Sequence, residues 1–427
     1  MTVSDVSPPA SLPQDAPLFR TAAGRAPVIL QIVPVLGPGG AEQGCIDVAV
    51  GIVRAGGKAI VVSNGGHRVP EILRAGVTHV CLPVDSKNPF TVWRNVARLR
   101  ALIRRYRVDI VHARSRAPAW SALKACEGTA ARFVTTCHAP YAGKGKLKTF
   151  YNSVMARGDR VIAISDFIAG YLRKTFALDP GRIRTIPRGV ALERLQPRGV
   201  SVHRLVELTR KWRLPDGASV VMMPGRLTRW KGHGVLIEAM RRIAPARPDL
   251  FCVLIGSDQG RTGYTKELTA LIREKKLEGR VRIVDHCDDM SAAYMLATVV
   301  VSASTEPEGF GRVPVEAQAM GRPVVATDHG GARETILRAE TGWLVPPSDP
   351  KALAQAIDEA LSLSAQERDV LAAHAIDHVT RNFSRELMVA RTLAVYAELL
   401  DGTGRGAGRK TDPATVATGT VHRMAAA

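Results

Sequence analysis

The sequence contains no C-x-x-C pair. Its six cysteines, Cys45, Cys81, Cys126, Cys137, Cys252 and Cys287, fall at unrelated spacings. That excludes a disulfide framework and a cysteine zinc site, and reads as reduced thiols of a cytoplasmic protein. No apolar run approaches the ~18 residues that a membrane-spanning helix needs. Aromatic residues make up only 5% of the chain and are not interleaved with the basic ones, so stacking on single-stranded nucleic acid is not expected. Acidic residues are scarce in the first half. Residues 1–195 carry 28 Lys/Arg against 12 Asp/Glu, a net of +16, whereas residues 196–427 carry 31 against 27, a net of +4. The basic excess predicts an anionic partner: a phosphorylated or otherwise anionic acceptor, or the headgroups of a membrane. Residues 1–26 are rich in Pro and Ala without a hydrophobic segment, and are expected to form a disordered leader, not a signal peptide. From Asp401 onward Gly, Thr and Ala predominate, which predicts a disordered tail over 401–427.

What is present suits a large two-domain α/β chain. With 427 residues and 46% apolar content, two ordinary cores can be buried. Short β-branched runs alternate with helical periodicity: strands are expected at Val28–Val35, Ala59–Ser63, His79–Leu82, Asp109–His112, Phe133–Thr136, Arg160–Ile164 and Ile183–Ile186. After a boundary near Pro187–Arg198, further strands are expected at Ser219–Met223, Phe251–Ile255, Val281–Val284, Thr298–Ser302 and Val324–Thr327. Such alternation gives doubly wound parallel sheets. The helix expected over Thr91–Tyr106 carries Arg94, Arg98, Arg100, Arg104 and Arg105 opposite apolar Val96, Leu99, Leu102 and Ile103. It reads equally as a solvated basic face and as one that contacts a membrane. Lys144, Lys146 and Lys148 lead to Phe150 and Tyr151 and form a second surface that could dock on lipid or acceptor.

The chain is organised around Ser302–Glu334. Glu308 and Glu316 are separated by seven residues, with the turn Gly309-Phe310-Gly311 opening the interval and a short helix over Pro314–Met320 carrying the second glutamate. A strand, glycine turn, helix, strand unit puts that turn at the carboxyl edge of a parallel sheet, where helix amides face a ligand. This segment resembles the E-x7-E motif of the retaining glycosyltransferases of family 4, with EGFG before the helix and G-R-P-V-V-A after it. The resemblance implies a GT-B fold: two Rossmann-like doubly wound domains facing a central cleft, spanning about residues 28–400. It assigns Glu308 to the sugar hydroxyls of a nucleoside-diphosphate sugar donor and Glu316 to its ribose, and places the turn Gly309, Phe310 and Gly311 among the donor-binding residues.

Other segments fit the same pattern. Pro224-Gly-Arg-Leu-Thr-Arg-Trp-Lys-Gly resembles the family's G-R-x-x-x-x-K-G, which implies that Gly225, Arg226 and Lys231 grip the donor pyrophosphate. Two cations beside a helix start make an anion site on physical grounds as well. Gly256, in Gly256-Ser-Asp, is similar to the turn near the nucleotide. Gly39, Gly40 and Glu42 (GGAE) resemble the loop that faces donor phosphate and acceptor. His138, in TTCHAPY, resembles the cleft histidine beside the transferred sugar. Arg114 and Arg116, in HARSRAPAW, follow a strand end and could bind an anionic acceptor or pair with nearby carboxylates. Ser165 is expected only as a helix N-cap. In the segment Ile186-Pro-Arg-Gly-Val-Ala, Arg188 and Ala191 stand where the family usually has Asn and Asp.

These readings divide the chain into a leader (1–26), an acceptor domain (27–195), a nucleotide-sugar domain (196–383), a helix packing back on the first domain (384–400) and a tail (401–427). The expected activity is transfer of a hexose-type sugar with retention to a glycan or glycolipid acceptor, in lipopolysaccharide or other polysaccharide synthesis. It would occur in the cytoplasm or at the cytoplasmic face of the membrane. No cofactor and no metal are expected: Asp288-Asp289 lacks the intervening residue of a D-x-D pair, and two cations already serve the pyrophosphate. A GT-B phosphorylase, a sugar-nucleotide epimerase and a noncatalytic basic binding protein are the alternatives. No nucleic-acid partner is expected.

Overall fold

A computed structural model of the protein describes residues 19–141 and 145–401. Lys144, residues 1–18 of the expected leader and residues 402–427 of the expected tail lie outside the described residues. Two parallel sheets organise the chain. The first has seven strands in the order β3-β2-β1-β4-β5-β6-β7: β1 Val28–Ile32, β2 Lys58–Ser63, β3 Thr78–Cys81, β4 Ile110–Ala113, β5 Arg132–Cys137, β6 Arg160–Ala163 and β7 Ile183–Thr185. The second has six, β10-β9-β8-β11-β12-β13: β8 Ser219–Pro224, β9 Leu250–Ile255, β10 Val281–Val284, β11 Val299–Ser302, β12 Val324–Thr327 and β13 Trp343–Val345. All five residues of β1 and all six of β9 are buried, as expected for strands covered by helices on both faces. β13, a strand of three residues, was not expected from the sequence.

Each sheet reverses its strand order once, beside β1 in the first and beside β8 in the second. Register there is fixed by pairing of Ile29 with Ile110 and of Val299 with Val221. In an open α/β sheet the ligand crevice lies outside the carboxyl ends of the strands at such a point. The loops following β1, β4, β8 and β11 carry GGAE, Arg114, Arg226–Lys231 and Glu308 respectively. Hydrophobic strand patterning and strand order thus aim the sequence motifs at one region.

The chain crosses between the domains twice. After β7 it runs outward through Val190, whose N–H donates to the Phe383 carbonyl at 2.8 Å and whose carbonyl accepts from Arg385 N–H at 2.9 Å. The returning helix, Arg385–Leu400, sinks Met388, Val389, Val395, Tyr396 and Leu399 into the core of the first domain. Each such side chain contributes about 2 kcal/mol of burial. The last part of the expected leader, from Phe19, is ordered: Phe19 is buried in that same core, and Arg25 forms an ion pair with Asp109. A single aromatic anchor outweighs the Pro- and Ala-rich composition around it.

Candidate functional site

The second-domain wall of the cleft is built from β8 and β11. After β8 the chain turns at Gly225, passes through a short helical turn at Arg229–Lys231, and enters the helix His233–Ile243. A Cβ on Gly256 would overlap the Gly225 carbonyl oxygen, so the two turns can close against each other only with glycine there. The Lys231 side chain lies over Gly225 and donates to Glu308 Oε1 at 2.7 Å. Both side chains are mostly buried, 14% and 18% exposed. Ser304 Oγ also donates to Glu308. Arg226 is exposed and makes no ion pair among the described residues. Gly311, at φ +84°, caps the helix Arg312–Ala319, which carries Glu316. Tyr294 Oη donates to Glu316 Oε2 at 2.8 Å and Arg312 Nη2 donates to Oε1 at 2.6 Å. Burial and the adjacent Glu316 carboxylate push the Tyr294 phenol well above its ordinary range, so it stays a hydrogen-bond donor.

Phe310 departs from the expectation that it faces the donor. Its side chain is 4% exposed and meets Phe383 edge-on at 5.6 Å. Its apolar ring completes a core that joins the two domains together with Val315, Ile168 and Leu172, leaving only its backbone near the cleft.

The first-domain wall starts at the helix Gly40–Arg54. Gly39 is its N-cap, without a side-chain cap, and Gly40 its first residue. The Glu42 carboxylate folds back over Gly39, where the helix dipole favours negative charge. Arg114 and Arg188 reach the same helix. Both lie close to Gly44, Arg188 also to Gly40, and Arg312 approaches Gly40 from the opposite domain. Arg114 Nε donates to Gln31 Oε1 at 2.7 Å, and Arg188 Nη1 donates to His138 Nδ1 at 3.1 Å. Burial, with Arg312 and Arg114 alongside, pulls the Arg188 guanidinium down to about 9. Burial and the two arginines hold the His138 ring well below the usual imidazole range. Arg116 is not part of this cluster. As the first residue of the helix Arg116–Cys126 it turns away, donates to Asn152 Oδ1 at 2.8 Å and stacks over Tyr141 at 4.4 Å. Neither an exposed anion site nor a carboxylate pair describes it.

The walls touch at the histidine. A Cβ on Gly309 would overlap the His138 carbonyl oxygen. The backbone beside Glu308 therefore lies against the backbone of His138. Ser165 does more than cap its helix through Ile168 N–H at 3.1 Å, since its Oγ also donates to the Gly309 carbonyl at 2.6 Å. Glu334, which no motif singled out, accepts from the N–H groups of Asp166 and Phe167, both at 2.7 Å. A carboxylate of one domain thus caps a helix of the other. Among the described residues no group of three or more His, Cys, Asp or Glu side chains is placed to hold a metal ion.

Two domains of parallel sheet with motifs at both switch points define the GT-B class. Residues 38–194 match the family described as Glycosyltransferase Family 4 and residues 207–377 that described as Glycosyl transferases group 1. A glycosyltransferase of known structure from Rickettsia africae is 36% identical, with 88% of this chain and 99% of that one covered and a TM-score of 0.81. The chain belongs to glycosyltransferase family 4. HepE of Anabaena, solved in complex with UDP, shares the fold at a TM-score of 0.75 and 22% identity, over 87% of this chain and 100% of that one. The D-inositol 3-phosphate glycosyltransferase of Jonesia denitrificans is 31% identical over 57% of this chain, which spans 58% of that relative's length.

Proposed function

We propose that the protein transfers a hexose-type sugar from a nucleoside-diphosphate sugar to a hydroxyl of an anionic glycan or glycolipid, with retention and without a metal. The observation that carries this reading is the buried Lys231–Glu308 pair, 2.7 Å apart, beside exposed Arg226 and against the His138 backbone. Lys231 and Arg226 would receive the pyrophosphate, releasing Glu308 to accept hydroxyls of the sugar. Glu316, oriented by Tyr294 and Arg312, would accept from the ribose. Charge building on the departing diphosphate meets cations already in place. With the acceptor hydroxyl on the same face, the leaving phosphate oxygen would take its proton. UDP bound by HepE, and the phosphorylated acceptor in the name of the Jonesia relative, support donor and acceptor classes respectively.

A specific surface favours work at the cytoplasmic face of an anionic membrane. Phe90, Trp93, Leu147 and Phe150 are 63%, 70%, 85% and 59% exposed. Arg94 lies over Phe90 and Arg157 over Phe150, and Lys87, Pro89, Val92, Trp120 and Tyr151 line a groove between them. Aromatic rings flanked by cations suit the headgroup layer. Among the described residues no helix is long and apolar enough to cross a membrane. Sedimentation with anionic vesicles at low salt should fall on Trp93→Ala with Phe150→Ala; unchanged sedimentation would remove this surface from the proposal.

The activity is tested by screening UDP-, GDP- and ADP-sugars for diphosphate release in the presence of EDTA. Release from one donor, abolished by Glu308→Ala and by Lys231→Ala, is the expected result. Release that requires a divalent ion, or survives both substitutions, rejects the mechanism.

A further inference from the structure

Arg188 stands at the crossover between the domains and does not resemble a surface arginine. It is 6% exposed and makes no ion pair among the described residues. Its backbone position is fixed by the returning helix: Gly189 N–H donates to Met388 Sδ at 3.3 Å, and a Cβ on Gly189 would overlap the Arg385 Cα region. From this clamped segment the guanidinium reaches under Gly40 and Gly44 and ends at His138 Nδ1, 3.1 Å away. Glu42 and Asp47 act on this cation through space without pairing with it, and burial with two neighbouring arginines outweighs them, so holding it there costs stability. A site retained at that cost invites the question of what the cation does.

The chemistry of the contact answers it. A guanidinium has five N–H donors and no acceptor. A histidine nitrogen bonded to it must therefore present a lone pair. The charges acting on the ring are Arg188 and Arg114, with His112 behind them; the second domain meets it through the Gly309 backbone, and no carboxylate acts on it. Two cations and burial disfavour the imidazolium. His138 Nε2 is shielded from solvent and has no hydrogen-bond partner, while the residue lines a small cavity with Gly44, Arg114, Thr136 and Arg188.

We propose that Arg188 is a positioning residue that locks His138 in the neutral tautomer carrying its proton on Nε2, so that the cleft meets a fixed hydrogen-bond donor and not a base. In the catalytic setting, which rests on the transferase reading above, that donor would hold a sugar oxygen. His138 would then act by orientation, and its ring would neither take nor give up a proton during transfer.

Long-range proton–nitrogen correlation spectra of histidine-labelled protein read the tautomer directly, with His138 assigned through His138→Gln. The expected parent spectrum shows bare Nδ1 and protonated Nε2 throughout the pH range in which an ordinary histidine titrates. Arg188→Met should admit the Nδ1–H tautomer and a charged form on acidification, while Arg188→Lys, which keeps a donor of similar reach, should restore the parent pattern. Donor turnover should follow, with kcat lowered up to about 100-fold in Arg188→Met at unchanged KM, as a misplaced group can cost. A parent ring protonated on Nδ1, a charged parent ring, or an Arg188→Met spectrum identical to the parent overturns the proposal. Should Arg188→Met fail to fold, the parent and Arg188→Lys spectra decide alone. Because the spectra need no substrate, a parent that turns over no donor would reject the transferase reading while leaving this one to be judged separately.

Discussion

On the second-domain wall of the cleft, Lys231 and Arg312 each meet a carboxylate, Glu308 at 2.7 Å and Glu316 at 2.6 Å. On the first-domain wall Arg114 and Arg188, 5% and 6% exposed, pair with none among the described residues and spend their donors on the Gln31 amide and the His138 ring. Arg226 also lacks an ion-pair partner among the described residues, but it is exposed to water. One wall is close to neutral, and in the proposed reaction each of its pairs would open to exchange partners with an incoming pyrophosphate and sugar. The other holds cations that Asp47 and Glu42 offset only through space and that water cannot reach, so its charge serves to orient neighbours and to favour negative charge in the cleft. The lesson is that the same residue type serves opposite ends, depending on whether an acidic partner comes with it.

The largest effect should come from breaking a pair. Glu308→Ala should lower donor turnover by about 100- to 1,000-fold, the range for loss of one transition-state contact, measured as diphosphate release. Next in size is a contrast in stability between the walls. Lys231→Met leaves Glu308 partly buried without its cation and should cost about 2 kcal/mol in chemical denaturation. Arg188→Met removes an unpaired buried charge and should be neutral or stabilising. If Arg188→Met costs more than Lys231→Met, the first-domain wall is compensated in a way that its geometry does not reveal.

Much of this contrast was legible in the sequence on one wall and little on the other. Glu308, Gly309, Gly311 and Glu316 lie within nine residues, so their spacing survives as a motif, and Arg226 and Lys231 are equally compact. Their partners are not: Tyr294 comes from 22 residues before Glu316, and Lys231 lies 77 residues before Glu308. Arg188 reaches His138 across 50 residues, and Glu334 reaches Asp166 across 168, distances that only the closed fold brings together. Arg116 and the Phe310 side chain lie apart from the two walls' clusters for a local reason. A helix start rotates Arg116 away from Arg114, and Phe310, inside a functional motif, is spent on packing. The strands other than β13 were readable to within about three residues, the central ones because burial on both faces imposes a continuous apolar run.

Acid sharpens the comparison at a smaller scale. Burial holds His112 and His138 on the first wall well below the usual imidazole range, and holds His233, beneath the donor turn, down to about 4. These rings stay neutral in the native state while the unfolded chain protonates below about pH 6.5, so stability is lost as pH falls through that value. For His233 the loss should reach about 2 kcal/mol at about pH 5. His233→Gln should therefore flatten denaturation midpoints between about pH 7 and pH 5. A parallel acid slope in parent and variant would mean that His233 charges in place.

The smallest effect should appear where the walls are tied together. Glu334 caps the Asp166–Phe176 helix from the opposite domain with two bonds of 2.7 Å. Burial raises its carboxyl above the usual range, and the two N–H donors oppose that rise. Glu334→Gln keeps the shape and one acceptor but removes the charge that a helix N-terminus attracts, so it should cost about 1 kcal/mol. Since this contact spans the domains while both cores stay intact, the loss should fall on closure: hydrogen exchange should rise at Asp166 and Phe167 and at the Gly309 turn, with the two sheets unaffected. Exchange that rises throughout the first sheet instead would make Glu334 a determinant of that domain's folding, and closure would then rest on the Ser165–Gly309 bond and the core around Phe310.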